Sequence, residues 1–304
     1  MTGTLSGEQT SGAAPQVPPP LPPLGSDASR VYACLVEQLA EAVHAAGGTD
    51  VLVGLSGGID SALVAALAVD ALGSPQVHGL VMPSTYTPED CIADAHALAE
   101  NLGIDTQLVA IDTVLTAYDE LLATSLAPGA TSLTRQNLQA RIRANLLMAF
   151  SNERDWLVLN TGNRTEALLG YTTLYGDTVG MFAPLAPLYK GWVYELTRFR
   201  NETALSDMSD SEPQGGGAAV PPAILTRAPS AGLAPGQTDE AELGSYEIND
   251  AICYAYDNGA TTLEQLIEAG CPAAPAEAAL ARIEANRFKA RYLPPGAALA
   301  LPNL

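Results

Sequence analysis

The chain has 304 residues, of which 47% are apolar and only 16% charged, and its formal net charge is −20. A chain of this length can bury a substantial core in one large domain or two small ones. So acidic a balance argues against nucleic acid and anionic membrane as partners, because both require basic patches. There is no apolar run long enough for a membrane span and no basic-then-apolar leader. Cys34, Cys91, Cys253 and Cys271 show no paired spacing, so the expectation is a cytoplasmic protein with reduced thiols.

Residues 1–25 are rich in Gly, Ser and Thr and then in Pro, with too little apolar surface to fold, and read as a disordered tail. Ser26 or Asp27 can cap a helix whose apolar stripe is Val31, Cys34, Leu35, Leu39, Ala42 and Val43. An apolar run, Val51-Leu52-Val53-Gly54-Leu55, then ends in Ser56-Gly57-Gly58-Ile59-Asp60-Ser61 and passes into an Ala- and Leu-rich helix, Ala62 to Leu72. Strand, glycine turn and helix start gather free backbone N–H groups at one point, where the helix dipole favours negative charge. Gly57 and Gly58 allow close approach of a ligand, and Ser56 and Ser61 add hydroxyl donors. The stretch reads as a pyrophosphate cradle. A Walker loop would end Gly-Lys-Ser/Thr. Here Asp60 stands in the loop, and a carboxylate beside phosphates makes sense if Mg²⁺ lies between them.

Val77 to Met82 predicts a second strand, followed by a flexible loop and candidate lid at Ser84 to Pro88 and a helix from Glu89 to Leu102 that Gly103 stops. Thr106 to Ile111 predicts a third strand, with Asp112 capping the next helix. A loop holding Pro128, Gly129 and Thr131 leads to a helix from Thr134 to about Asn152, and Trp156 to Leu159 predicts a fourth strand. Alternating strands and helices imply an α/β fold, a doubly wound and mostly parallel sheet with ligands at the carboxyl ends of its strands. Both the glycine loop and Asn160-Thr161-Gly162-Asn163 fall at such ends. A helix from Tyr189 to about Asn201 follows, then an acidic and Gly-rich stretch around 203–226 that reads as a mobile loop and candidate lid. Helices around Tyr246 to Tyr256, Thr262 to Ala269 and Pro275 to Tyr292 close the chain. His44, His78 and His96 lack ligand spacing and read as structural.

Three further stretches are unusually polar: Gln136 to Arg143, Thr161 to Asp177, and Asn286 to Gly296. Asn137 and Arg141 share a helix face. The glycine loop resembles that of ATP pyrophosphatases. With the Thr161-Gly162-Asn163-x-x-Glu166 … Gly170-Tyr171-x-Thr173-Leu174-Tyr175-Gly176-Asp177 stretch added, the chain resembles the NAD synthetases from about Asp27 to Gly296, most of all the synthetase domain of the glutamine-dependent type. That resemblance implies an adenine nucleotide alpha hydrolase-like, Rossmann-like fold. It also implies ATP-driven amidation of nicotinic acid adenine dinucleotide (deamido-NAD) through an NAD-adenylate.

The resemblance assigns Gly54, Leu55, Ser56, Gly57, Gly58, Ile59, Asp60, Ser61, Thr161, Lys190 and Ser230 to ATP. Asp60 and Glu166 would hold Mg²⁺ and, with Lys190, form the catalytic set. Asn137, Arg141, Glu166, Tyr171 and Lys289 are assigned to deamido-NAD. Tyr171 either packs on the nicotinate or belongs to the core. Lys190 and Lys289 are the only lysines in the chain. Departures from the family pattern are Gly232, Gln136 and Arg164-Thr165, none of them at a phosphate, metal or lysine position. The glutamine-dependent type carries an amidase domain before the synthetase. About fifty residues precede the first strand here, so ammonia is expected to come free or from a separate glutamine amidase subunit. A homodimer is also implied. The expected organisation is a tail at 1–25, one domain at 26–296 and a tail at 297–304. Two other readings stay open: an AMP-forming enzyme of the same superfamily with another acceptor, and a non-catalytic ATP-binding module.

Overall fold

A computed structural model of the chain describes residues 20–125, 132–203 and 218–299. The first nineteen residues, the loop at 128–131, residues 204–217 of the acidic stretch and the last five residues lie outside these, and with them the expectations of disorder and of a lid there. Residues 218–226, expected to belong to a mobile loop, are ordered, because Asn201 holds Val220 by two hydrogen bonds and a short helix, Pro222–Thr226, follows.

Four parallel strands form a sheet in the order β3-β2-β1-β4, with β1 at Val51–Gly54, β2 at Val77–Val81, β3 at Asp105–Leu108 and β4 at Leu157–Val158. Strand β1 is buried on both faces, and its alternating side chains feed two separate cores. Val51 and Val53 point to the side covered by α1 (Ala28–Ala45), α2 (Ile59–Leu72) and α7 (Lys190–Glu202). Leu52 points to the other, against Ile111 and Leu115 around the start of α4 (Asp112–Leu122) and Ile142 and Leu147 of α5 (Ser132–Arg154). Helix α2 is apolar all round, and Ala62 to Ala68 are fully buried in consequence. The remaining described helices are α3 (Glu89–Leu102), α6 (Arg164–Leu169), α8 (Pro222–Thr226), α9 (Asp239–Leu243), α10 (Tyr246–Asp257), α11 (Leu263–Glu268) and α12 (Ala273–Asn286).

The α/β reading holds, and β1 lies between β2 and β4, so the chain reverses its direction of travel across the sheet at β1. A crevice outside the carboxyl ends of the strands opens at such a point. The loops after β1 and β4 flank it. Three expectations need adjustment. Residues 20–25 are ordered: Trp192 Nε1 donates to Pro22 O at 2.7 Å, and the Glu195 carboxylate accepts the Leu24 and Gly25 N–H groups at 2.9 and 2.7 Å. At the far end Ala297 pairs with Ala183, and Ala298 exchanges two bonds with Gln38, so the domain continues past Gly296. Asp112 begins α4 and does not cap it; its carboxylate accepts Thr85 N–H at 2.9 Å and, with a Ser84–Thr87 turn, pins the loop expected to be flexible. His78 lies between Asp50 and Asp105 and stacks on Trp156, the structural role expected of it.

Candidate active site

Strand β1 delivers the chain to the glycine bend. Gly57 has φ +75°, and a Cβ there would lie 2.1 Å from the Cys91 carbonyl oxygen in the first turn of α3. Only glycine fits that contact. Gly58 is the N-cap of α2 and offers no side-chain cap, which leaves the helix amides facing the crevice. The Ser56 and Ser61 hydroxyls are 3.1 Å apart; Ser56 Oγ accepts Gly58 N–H and Ser61 Oγ donates to Gly58 O. Both serines therefore rivet the bend itself, a use the sequence did not disclose.

Asp60, in the first turn of α2, accepts a bond from Lys190 Nζ at 2.5 Å and another from Asn163 Nδ2 at 2.9 Å. Glu166 accepts from the same Nζ at 3.2 Å. Its position is fixed by a capping box: Asn163 Oδ1 accepts Glu166 N–H while the Glu166 carboxylate accepts Asn163 N–H. Lys190 is the first residue of α7 and 2% exposed. Its backbone N–H reaches Thr165 Oγ1 and Asp250, and Asp250 also takes Gly191 N–H at 2.7 Å, so α10 caps the helix that carries the lysine. Burial works against the ammonium, but Asp60 and Glu166 outweigh it and hold the Lys190 pKa above its ordinary value. Burial pushes the Glu166 carboxyl up; Lys190 opposes this, while Asp60 and Asp239 reinforce it.

The other end of the site is built by α5, the loop after α6 and the C-terminal segment. Asn137 Oδ1 accepts from Thr173 Oγ1 at 2.8 Å, and Arg141 Nε donates to Leu174 O at 3.1 Å. Lys289 Nζ donates to Gly170 O and Thr172 O at 2.7 and 2.6 Å, and burial lowers its pKa against the pull of Asp177. Tyr171 OH donates to Asp239 at 3.2 Å. Ser230 Oγ donates to Gln237 O, shaping its own loop, and accepts the N–H of Gly232, which has φ +61°.

Every residue singled out from the sequence, from Gly54 to Ser61 and from Asn137, Arg141, Thr161, Glu166 and Tyr171 to Lys190, Ser230 and Lys289, lines one cavity of about 920 Å³. Sequence reasoning missed Asn163, Arg227, Asp239, Tyr246 and Asp250. The Asn163-x-x-Glu166 spacing was a legible cap signal. Asp250 carries no local signal, because its partners Thr165, Lys190 and Gly191 lie at least 59 residues away. Asp239 meets Ala231 and Tyr246 nearby but Tyr171 only through the fold.

Among the described residues no set of three His, Cys, Asp or Glu side chains makes a complete metal site. Asp60, Glu166 and Asp239 nonetheless influence one another around a single ammonium, so the cluster is short of positive charge. Mg²⁺ binds through one or two carboxylates together with substrate phosphates and water. Asp60 and Glu166 fit that pattern.

A parallel sheet reversing at β1, with a glycine bend and a helix N-terminus at the crevice, defines an α/β nucleotide-binding protein of the adenine nucleotide alpha hydrolase fold. Residues 31–294 match the profile of the family described as NAD synthase. The chain belongs to that family. It is 39% identical over 266 residues to the glutamine-dependent NAD(+) synthetase of Aquifex aeolicus, a match covering 88% of this chain and 45% of the relative. The chain thus spans about half the length of the curated relatives it matches. Among solved structures, the NMN synthetase of Francisella tularensis superposes with TM-score 0.68 at 28% identity, over 91% of this chain and 99% of that one. The NH3-dependent NAD synthetase of Campylobacter jejuni does so with TM-score 0.66 at 27% identity, over 86% and 96%. No described helix is long and apolar enough to cross a membrane.

Proposed function

We propose that the chain amidates nicotinic acid adenine dinucleotide to NAD with ATP and ammonia, releasing AMP and pyrophosphate. The observation that carries this reading is the single cavity shared by the glycine bend, the Asp60–Lys190–Glu166 cluster and the Asn137, Arg141 and Lys289 group. The nicotinate carboxylate oxygen attacks the α-phosphorus of ATP, the bond to the pyrophosphate oxygen breaks, and an NAD-adenylate results. The ammonia nitrogen then attacks the acyl carbon, AMP leaves with the C–O electron pair, and the nitrogen loses a proton. Phosphoryl transfer of this kind depends on positioning and charge stabilisation. In this assignment the α2 amides and the glycine bend hold the departing pyrophosphate. Lys190 meets the charge that grows on the phosphate oxygens. Asn137, Arg141, Tyr171 and Lys289 orient the dinucleotide, and Thr161 and Ser230 line the ATP end. Asp60 and Glu166 would hold Mg²⁺, which when bound neutralises phosphate charge.

A homodimer, and a separate glutamine amidase subunit as nitrogen donor, belong to the same proposal. The test is NAD formation by the purified chain from ATP, Mg²⁺ and deamido-NAD, with ammonium or glutamine as the only nitrogen source. Product with ammonium and little with glutamine is expected. Efficient use of glutamine by the chain alone rejects the nitrogen assignment. Pyrophosphate release that ignores deamido-NAD but follows another carboxylate, such as the mononucleotide acid, rejects the acceptor.

A further inference from the structure

We propose that Arg227 is a positioning residue for the triphosphate: it ties the glycine bend to α3 and keeps the Gly57 carbonyl turned out of the phosphate site. The proposal rests on the reading that ATP phosphates sit at that bend. Arg227 follows α8 directly and stands three residues before Ser230. Its backbone is well anchored. Ile224 and Val220 are buried, and Val220 exchanges two hydrogen bonds with the Asn201 side chain, at 2.8 and 2.9 Å. From this base the guanidinium reaches three groups on two other elements. Nη1 donates to Gly57 O at 3.4 Å and to Cys91 Sγ at 3.2 Å, and Nη2 makes a charged hydrogen bond to Asp94 on α3. The side chain lines the same cavity as the bend.

The need for such a tie follows from the bend. Gly57 has φ +75° and neither it nor Gly58 carries a side chain, so side-chain sterics do not fix the peptide joining them. In the observed state its N–H is on Ser56 Oγ and its carbonyl oxygen faces Arg227. Rotated the other way it turns the Gly57 carbonyl oxygen toward the negative phosphate oxygens. A cationic donor on that carbonyl selects the observed state, and a charged hydrogen bond is stronger than a neutral one. Asp94 in turn fixes the guanidinium, and its pull keeps Arg227 against α3. A lysine in this place could supply the charge, but a point ammonium does not span Gly57, Cys91 and Asp94 as a planar fork does. Because Arg227 and Ser230 share one short segment, placing that segment and setting the bend are one event.

The test uses the full chain and measures MgATP binding by calorimetry, KM for ATP and for deamido-NAD separately, and thermal unfolding. Arg227→Met is expected to weaken ATP binding on the order of 10- to 100-fold, the range of a lost charged hydrogen bond. The KM for deamido-NAD and the melting temperature should stay where they are. Arg227→Lys should recover part of the loss, and Asp94→Asn should fall between wild type and Arg227→Met. Several results overturn the proposal. One is equal ATP affinity in wild type and Arg227→Met. Another is an equal rise of both KM values with a fall in melting temperature, which marks a brace of the fold only. A third is Arg227→Lys behaving no better than Arg227→Met. A wild-type chain that binds no ATP overturns this proposal together with the ATP reading, whereas failure of the variants alone to differ overturns this one only.

Discussion

Lys190→Met removes one buried cation from between two carboxylates and leaves the shape of the side chain nearly intact. Nζ stands 2.5 Å from Asp60 and 3.2 Å from Glu166, whose side chains are 19% and 17% exposed. Breaking a buried pair by deleting one partner costs about 3–5 kcal/mol, and the residual exposure of both carboxylates places this case near the lower end, about 3 kcal/mol. For a domain of this size each kcal/mol moves the melting temperature by about 2–4 °C, so a fall of about 6–12 °C is expected at neutral pH. The loss should depend on pH in a definite direction. Burial pushes the Glu166 carboxyl upward in the wild type against the opposing pull of Lys190, and deleting the ammonium removes that opposition. A raised folded pKa means that stability is fully present below the unfolded value, near 4.5, and drains away as pH rises through the folded one. The variant should therefore approach wild-type stability at mildly acid pH and diverge from it toward alkaline pH. Adding Glu166→Gln should recover part of the deficit at alkaline pH, because one buried charge then disappears. Calorimetric unfolding of the three proteins across pH is the assay. A melting temperature in Lys190→Met that matches wild type at neutral pH, or a deficit that grows on acidification, refutes the account.

Gly57→Ala forces a Cβ to within 2.1 Å of the Cys91 carbonyl oxygen at a positive φ, so the bend must rebuild; ATP binding should be lost in calorimetry, and normal affinity would contradict the geometry. Lys289→Met removes two bonds, to Gly170 O and Thr172 O, at the end opposite the glycine bend. Steady-state kinetics should show KM for deamido-NAD rising about tenfold with KM for ATP unmoved, and the reverse pattern would exchange the two ends of the cavity.

The fold and the phosphate end were legible because their signals are local. Val51 to Ser61 carries strand, bend and helix start in one run, and the alternation of apolar strands with helices fixes a parallel sheet. Boundaries moved where tertiary contact decides them. The strand expected at Trp156 to Leu159 is two residues long, although Leu159 still donates its N–H to Leu52 O at 3.0 Å while bridging Phe182. Residues 20–25 look unstructured by composition, yet partners on α7, far away in the chain, hold them. In the site, single residues could be named but not their relations. Nothing in the sequence said that Lys190 would be shared by Asp60 and Glu166, that Asp250 would cap the helix under it, or that Arg227 would cross to the bend. Each of those contacts joins segments at least 24 residues apart.

The anchorage of Pro22, Leu24 and Gly25 on Trp192 and Glu195 has a mechanical side. The helix they grip begins at Lys190, one turn away from those two side chains. Residues 22–25 thus brace, from outside, the base of the very helix that aims the ammonium at its two carboxylates, so a shift of that short segment would be felt first at Lys190.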